Sequence, residues 1–238
     1  MPSASLFLIP VPLGDLPPES SLAAATIAEV HSLDHFAVER AKTARAHLRA
    51  FAHPKPLQSL AMVELDGAQT DESIRQALAW LEAGYDVGLM SEAGCPAVAD
   101  PGSRLVARCH ERGIRVRPLV GPSSLLLAIM ASGLNGQKFA FHGYLPAKPL
   151  PRAEAIRDLE KRSQADACLQ LFIETPYRNG TLLQSLLAEC RESTRLCVAI
   201  DLTLPAEFVR TATISDWRQH KALPPVDKRP TVFLLQAG

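Results

Sequence analysis

Three loops of the sequence combine glycine, proline and small polar residues, and each directly follows a predicted strand. They read "PVPLGD" (residues 10–15), "SEAGCPAVADPG" (residues 91–102) and "VGPSSLL" (residues 120–126). Glycine allows the backbone to approach a ligand closely, and a helix that starts after Gly121 offers free N–H groups that suit a carboxylate or another anion. Each loop alone is typical of an ordinary turn, but the three together favour a binding pocket.

Other known site chemistries find less support in the sequence. No GxGxxG follows the first strand and no GKS or GKT occurs, so neither a dinucleotide-binding motif nor a P-loop is indicated. His31 and His35 are four residues apart, but no third ligand accompanies them, so we expect no metal site. Cys95 lies in a loop before a helix, where a thiol pKa can be lowered, but the sequence marks no partner histidine.

The order of the predicted elements explains how the three loops could meet. Strands alternate with helices up to about residue 120, which predicts a mainly parallel sheet with right-handed crossovers. The carboxyl ends of parallel strands share one edge, so the loops converge there. After Gly121 the pattern changes, and "RLCVAIDLT", "AEFVRTATISDW" and "PTVFLLQAG" are interpreted as consecutive strands. We therefore predict two α/β domains: residues 1–120, and residues 121–238 with a mixed sheet.

Composition limits the class of protein. The 238 residues carry 25 basic and 25 acidic side chains, so the net charge is zero and the whole surface is not built for nucleic acid. The five cysteines are odd in number and form no CxxC pair, which favours reduced thiols and a cytoplasmic location. The first residues have no basic leader, and no run of about 18 apolar residues occurs, so we expect neither a signal peptide nor a membrane span.

The motifs, taken in order, resemble one family. "SEAGCPAVADPGSRLV" resembles the "SDAGTPxxxDPGxxLV" signature of the tetrapyrrole-methylase-like (class III) S-adenosylmethionine methyltransferases. Within that superfamily the chain is most similar to the 16S ribosomal RNA cytidine ribose 2′-O-methyltransferases. Their "LYxVATPIGNL", "FxFxGFLPxK" and "FYESPHR" correspond here to "LFLIPVPLGDL", "FAFHGYLPAK" and "FIETPYR". The resemblance follows the same order over nearly the whole chain.

One segment departs from that branch. The branch carries "AEDTRxTRxLL" where this chain has "VERAKTARAHL", so Glu39 and Arg45 match while Arg40 and Lys42 replace an acid and an arginine. Asp15 and Cys95 also replace an asparagine and a threonine of the other two signatures. These changes lie in the region expected to face the substrate, and they indicate a subgroup of the branch.

The resemblance implies a site for S-adenosylmethionine in the cleft between the two domains. By motif position, the first domain's cofactor contacts are Pro12, Leu13, Gly94, Cys95 and Val98. Around and beyond the predicted boundary they are Ser123, Ser124, Leu125, Ile173, Ala199 and Thr231. Glu39 and Arg45 are the catalytic candidates by the same argument, although a surface ion pair with Arg45 or Lys42 is the alternative for Glu39. Cys95 is then expected to form part of the cofactor wall rather than to act as a nucleophile.

The reaction implied is methylation of a ribose 2′-hydroxyl in small-subunit ribosomal RNA, by a homodimer. The predicted helix with Arg40, Lys42, Arg45 and Arg49 could meet RNA phosphates, although a solvated helix face has the same composition. Two alternatives stay open. One is a methyltransferase of the same fold that acts on a small, tetrapyrrole-like molecule or on a protein, and the other is a non-catalytic module that keeps the cofactor pocket.

Overall fold

The computed structural model describes residues 4–65, 70–220 and 222–238. By internal contacts the chain divides into two compact units, Met1–Ser123 and Ser124–Gly238. The segment 121–123 therefore groups with the first unit. The boundary between separately folding domains, expected between residues 120 and 121, stays a prediction.

The first unit is built on a five-stranded sheet in which every pairing is parallel. The sheet order is β3-β2-β4-β1-β5. Its strands are β1 (Ser5–Ile9), β2 (His35–Val38), β3 (Ala61–Glu64), β4 (Val87–Met90) and β5 (Arg115–Pro118), and its helices are α1 (Ala24–His31), α2 (Ala41–Ala50), α3 (Thr70–Glu82) and α4 (Ser103–Glu111). The expected parallel sheet is confirmed.

Both faces of this sheet are covered, as the short apolar strands require. Phe7 and Ile9 of β1 pack in one cluster with residues of α1 and α2, such as Val30 and Leu48. Leu6, whose side chain points to the opposite face, packs in a second cluster with residues of α3 and α4. Packing on both faces holds the strands in place, and the ends of the strands set the starting positions of the loops that follow them.

The second unit is built on a five-stranded mixed sheet of order β6-β7-β10-β8-β9. Only the β6–β7 pair is parallel, so the expected mixed sheet is confirmed. Its strands are β6 (Phe139–Tyr144), β7 (Leu169–Ile173), β8 (Arg195–Ile200), β9 (Phe208–Thr213) and β10 (Thr231–Gln236), and its helices are α5 (Ser124–Ser132), α6 (Pro149–Asp166), α7 (Asn179–Glu189) and α8 (Ile214–Gln219).

One predicted strand is wrong in its second half. "AEFVRTATISDW" is a strand only as far as Thr213, and the helix α8 begins at Ile214. The physical reason is an N-cap: the Thr213 hydroxyl accepts a hydrogen bond from the Asp216 N–H at 3.1 Å. The helix then buries Trp217, whose Nε1 donates to the Leu196 carbonyl.

No helix in the described ranges is both long and apolar enough to cross a membrane.

Candidate functional site

The three glycine- and proline-containing loops leave the first sheet at one edge. They follow β1, β4 and β5, which are neighbours in the order β4-β1-β5. Because all five strands are parallel, the carboxyl ends of these three strands lie side by side. The expected shared edge is therefore confirmed for the loops that begin at Pro10, Ser91 and Leu119.

Direct hydrogen bonds join these loops to one another. Val11 N donates to the Gly94 carbonyl at 2.9 Å, and Gly94 N donates back to the Val11 carbonyl at 3.1 Å. Cys95 Sγ donates to the Pro122 carbonyl at 3.3 Å. The loops after β1, β4 and β5 thus form one connected structure, in which the middle loop holds the other two.

Two glycines are required for this close packing. Gly94 has a φ of +69°, and a Cβ there would lie 3.1 Å from Leu13 Cδ2. At Gly121 a Cβ would lie 2.3 Å from the Pro10 ring, so only glycine fits between the loops. The glycines that the sequence marked as points of ligand approach are, in this structure, points where one loop approaches another.

Three carboxyl groups lie at the same edge. Glu39 follows β2, and its Oε2 accepts a hydrogen bond from Glu92 N at 3.0 Å. Burial raises the pKa of Glu39 above its ordinary value, and the charges of Asp100 and Glu92 raise it further, although the Glu92 N–H opposes the shift. Burial also raises the pKa of Asp100, with Glu92 adding to the shift and the Ser91 hydroxyl opposing it. The carboxylates of Glu39 and Asp100 are therefore more basic than usual.

The other catalytic candidate is Arg45. Arg45 is exposed on α2 and forms no ion pair with any acid in the described residues. In the described residues Glu39 forms an ion pair with neither Arg45 nor Lys42, so the structure does not contain that alternative. Arg40, which follows Glu39 in the chain, places Nε 4.0 Å from Glu92 Oε1.

Cys95 has no feature of an activated nucleophile. Burial raises the pKa of its thiol, and the nearby Asp100 carboxylate raises it further. The thiol is therefore protonated at neutral pH, which removes the effect that a position before a helix could have had. Within the described ranges no cluster of three or more histidine, cysteine or acidic side chains could hold a metal ion.

A cavity of about 260 Å³ lies between α2 and the loops after β1 and β4. We call it the α2 pocket. Pro12 and Leu13 line it on one side, and Thr43 and His47 of α2 on another. Two of the predicted cofactor contacts thus face a cavity together with residues that sequence reasoning did not select.

The missed residues are joined by hydrogen bonds. Thr43 Oγ1 donates to Glu92 Oε1 at 2.8 Å, and His47 Nε2 lies 3.0 Å from the Glu92 carbonyl oxygen. Thr43 and His47 are four residues apart and so lie on one face of α2. That spacing is the only feature of the sequence that could have indicated these two residues, because their contacts with Glu92 join positions more than forty residues apart.

The remaining predicted contacts are distributed as follows. Val98 is 46% exposed in the loop after β4, and Ser123 ends the loop after β5. Ser124 and Leu125 open α5, which packs on the sheet of the second unit.

The three predicted contacts on strands of the second unit do not share one face. Ile173 and Ala199 both pair with Val232 and therefore lie on one face of that sheet, whereas Thr231 pairs with Ile200 and lies on the other. The side chain of Thr231 thus points to the opposite face from those of Ile173 and Ala199.

Comparison with known proteins gives a family and several relatives. The model of the Tetrapyrrole (Corrin/Porphyrin) Methylases matches residues 5–217. The protein named Ribosomal RNA small subunit methyltransferase I from Escherichia coli O157:H7 is 30% identical over 89% of this chain and 70% of its own length. Its namesake from Pseudomonas aeruginosa is 30% identical over 100% of this chain and 80% of its own length. The namesake from Thermotoga maritima is 30% identical over 92% and 94%.

Solved structures share the fold at lower identity. The methyltransferase CobJ aligns with a TM-score of 0.65 and 19% identity, covering 99% of this chain and 95% of that one. Diphthine synthase aligns with a TM-score of 0.63 and 17% identity, covering 99% and 90%. At these identities the likeness concerns the two-domain fold alone.

Proposed function

The chain belongs to the tetrapyrrole methylase family, and on that premise we propose that it transfers a methyl group from S-adenosylmethionine to a ribose 2′-hydroxyl of small-subunit ribosomal RNA. The observation that carries the proposal is the connected edge of three loops after β4, β1 and β5. Relatives that carry the name of a small-subunit ribosomal RNA methyltransferase align over most of this chain, which supports RNA as the substrate.

The chemical types of the residues at this edge suit S-adenosylmethionine. A sulfonium cofactor with an amino-acid tail and a nucleoside needs backbone partners, a hydroxyl and apolar walls, with little positive charge. Pro12, Leu13, Gly94, Cys95 and Ser123 provide these in the first unit. We keep Val98, Ser124, Leu125, Ile173, Ala199 and Thr231 as further proposed contacts, Thr231 through its backbone.

Glu39 is the proposed proton acceptor. When bound, the cofactor supplies an electrophilic methyl group, so the chain must align the hydroxyl, exclude water and take up the hydroxyl proton. Oε2 of Glu39 accepts from Glu92 N, and Oε1 takes the proton as the new O–C bond forms and the S–C bond breaks. The raised pKa of Glu39 makes its carboxylate a stronger base than an ordinary one at the pH where it acts.

The exposed face of α2 supports an RNA substrate. Lys42, Arg45 and Arg49 lie at spacings of three and four and so form one stripe, and in the part of the chain that the structure describes none of them has an acidic partner. On α4 and at its C-cap, by contrast, Arg104, Arg108 and Arg112 pair with Asp71, Glu111 and Glu82. We propose that Arg45 acts through RNA phosphates rather than on the reacting atoms.

A cytoplasmic homodimer completes the proposal. All five cysteines are free, which suits a reducing compartment. The homodimer rests on the resemblance to the family. The alternative of a small-molecule or protein substrate is supported only by the shared fold, and a fold does not determine which substrate an enzyme uses.

The test uses small-subunit particles from cells of the source organism that lack this protein. The purified chain is incubated with these particles and methyl-labelled S-adenosylmethionine, and the RNA is analysed for 2′-O-methylnucleosides by mass spectrometry. We expect about one methyl group per particle, and none on particles from cells that contain the protein. Transfer to a small-molecule or protein fraction, with none to the RNA, would show that the substrate is wrong.

A further inference from the structure

The polar side-chain atoms of the α2 pocket have one property in common. Asp15 and Glu92 contribute carboxylate oxygens, which only accept hydrogen bonds. The Thr43 hydroxyl hydrogen is used on Glu92 Oε1. His47 Nε2 must carry its hydrogen toward the Glu92 carbonyl, so in the neutral ring Nδ1 is left as an acceptor. The described side chains that line this pocket, with His47 neutral, thus offer acceptors and no free donor.

The charges of the residues that line the α2 pocket also favour an uncharged ligand. None of the described residues that line the α2 pocket is a lysine or arginine, and two are acids. A phosphate or carboxylate would meet these two like charges and no cation within the lining, although Arg40 outside it places Nε 4.0 Å from Glu92 Oε1. Lys42, Arg45 and Arg49 of the same helix, which have no acidic partner in the described residues, are not among the lining residues and are exposed to solvent. Helix α2 therefore offers its pocket to an uncharged, donor-bearing group and its exposed stripe to anions.

The apolar part of the lining suits a flat ring. Leu13, Leu16 and Ala46 line the cavity together with the acceptors, and its volume of about 260 Å³ leaves room for a small group such as one nucleoside. His47 is half-buried, and its ring lies nearly parallel to that of Phe51, with centroids 6.3 Å apart. The Phe51 ring and the Glu92 carbonyl thus orient the His47 ring, and no described residue forms a hydrogen bond with its Nδ1.

We propose that the α2 pocket holds one uncharged nucleoside of the substrate RNA, with His47 Nδ1 accepting a hydrogen bond from its hydroxyl or amino group. The proposal rests on the proposed function, and it adds the place where the substrate is recognised. The flanking phosphates then lie along Lys42, Arg45 and Arg49. Where the branch signature "AEDTRxTRxLL" has a leucine, this chain has His47, so His47 is a specificity-determining residue of this chain.

The same chemistry is present in the adenosine of S-adenosylmethionine, since it is also an uncharged nucleoside with donors. Pro12 and Leu13, which are proposed cofactor contacts, border the pocket as well. The experiment must therefore separate the two nucleosides. S-adenosylhomocysteine serves as the probe for the cofactor, and undermethylated small-subunit particles serve as the probe for the substrate.

The variants are His47→Leu, His47→Asn and the control His53→Leu. His53 is also half-buried, with Nε2 3.1 Å from the Leu33 carbonyl oxygen, but it does not line the pocket. For His47→Leu we expect the KM for particles to rise about tenfold, as the loss of one buried hydrogen bond predicts. The Kd for S-adenosylhomocysteine, measured by calorimetry, should stay within about twofold. His47→Asn, which returns a polar atom near the position of Nδ1, should recover part of the loss.

Each other outcome has a definite meaning. A loss of S-adenosylhomocysteine affinity with an unchanged KM would assign the pocket to the cofactor and overturn the proposal. Unchanged values in both assays, or an equal effect of His53→Leu, would overturn it too while leaving the proposed function intact. If the unmodified protein methylates no particle, the proposed function itself fails, which is a different result from any effect of the variants.

Discussion

At the scale of single residues, Gly94 combines a left-handed backbone with a close neighbour in another loop. Its φ of +69° disfavours any side chain, and a Cβ would press on Leu13. We expect Gly94→Ala to lower the free energy of unfolding by about 2 kcal/mol or more and to weaken S-adenosylhomocysteine binding. Denaturant unfolding and calorimetry measure the two effects.

Gly113 provides the matched control for that substitution. Its φ of +65° is nearly the same, but a Cβ there meets no atom within 4 Å. Gly113→Ala should therefore cost only the backbone strain, about 1 kcal/mol, with unchanged ligand affinity. Equal losses in the two variants would mean that the contact with Leu13 has no role.

Glu39 links the chemistry of the site to the pH dependence of stability. Its native pKa lies above the ordinary value of 4.5, so between these two values the native state binds more protons than the unfolded state. The free energy of unfolding therefore falls as pH rises through this window. Glu39→Gln keeps an oxygen for Glu92 N but removes the titration, so we expect a smaller fall in Tm between about pH 4.5 and pH 7 and a loss of methyl transfer.

The surface variant Glu111→Gln is the comparison, since Glu111 forms an exposed pair with Arg108. It should leave both the pH profile of Tm and the methylation rate close to those of the unmodified protein. A Glu39→Gln protein that still transfers methyl groups at the normal rate would remove Glu39 from the mechanism.

Sequence reasoning reached some of these residues and missed others for a physical reason. Glu39 and Gly94 stand in motifs that can be read locally. Thr43 and His47 are brought into the site by their hydrogen bonds to Glu92. The sequence of α2 does not reveal that a loop more than forty residues away will supply the carbonyl and the carboxylate for these bonds. Hydrogen bonds between distant segments have no signature in periodicity or composition.

At the scale of elements, α2 has two faces with different tasks. The stripe of Lys42, Arg45 and Arg49 is proposed to bind phosphates, so Arg45→Glu should reduce methylation of particles several-fold and flatten its salt dependence. The affinity for S-adenosylhomocysteine should not change. Initial rates at several salt concentrations give the measurement.

Arg112, the C-cap of α4, supplies the control for this charge reversal. Arg112 is exposed but already paired with Glu82, and the stripe on α2 has no such partners in the described residues. Arg112→Glu should leave the rate and its salt dependence unchanged. A similar loss in both variants would point to net charge rather than to the stripe.

The elements themselves were largely predictable. Short apolar runs between amphipathic helices predict a parallel sheet, because both faces of each strand must be covered. The helix α8 was missed because "ISDW" follows a real strand without a break, and a single N-cap at Thr213 ends the strand and starts the helix. A capping hydrogen bond outweighs the alternating pattern there.

At the scale of the whole molecule, the balance of 25 basic and 25 acidic residues limits general attraction to RNA. We therefore expect protein-free small-subunit RNA to be methylated at least about tenfold more slowly than the assembled particle at physiological salt, because phosphates alone give little affinity to a neutral protein. Parallel assays with the same RNA, free and assembled, measure the ratio. Equal rates would show that the particle adds nothing to recognition.

The pairing between Val11 and Gly94 has a consequence for exchanging parts between relatives. The strands β1 and β4 run in parallel, yet the bridge beyond them is antiparallel, so the two loops turn back against each other and share both of its hydrogen bonds. In a chimera that receives only one of these loops from a relative, the backbone N–H and carbonyl of the new loop would have to pair with a loop from a different protein. The loops after β1 and β4 therefore depend on each other, and a chimera that receives this site from a relative should receive both loops together.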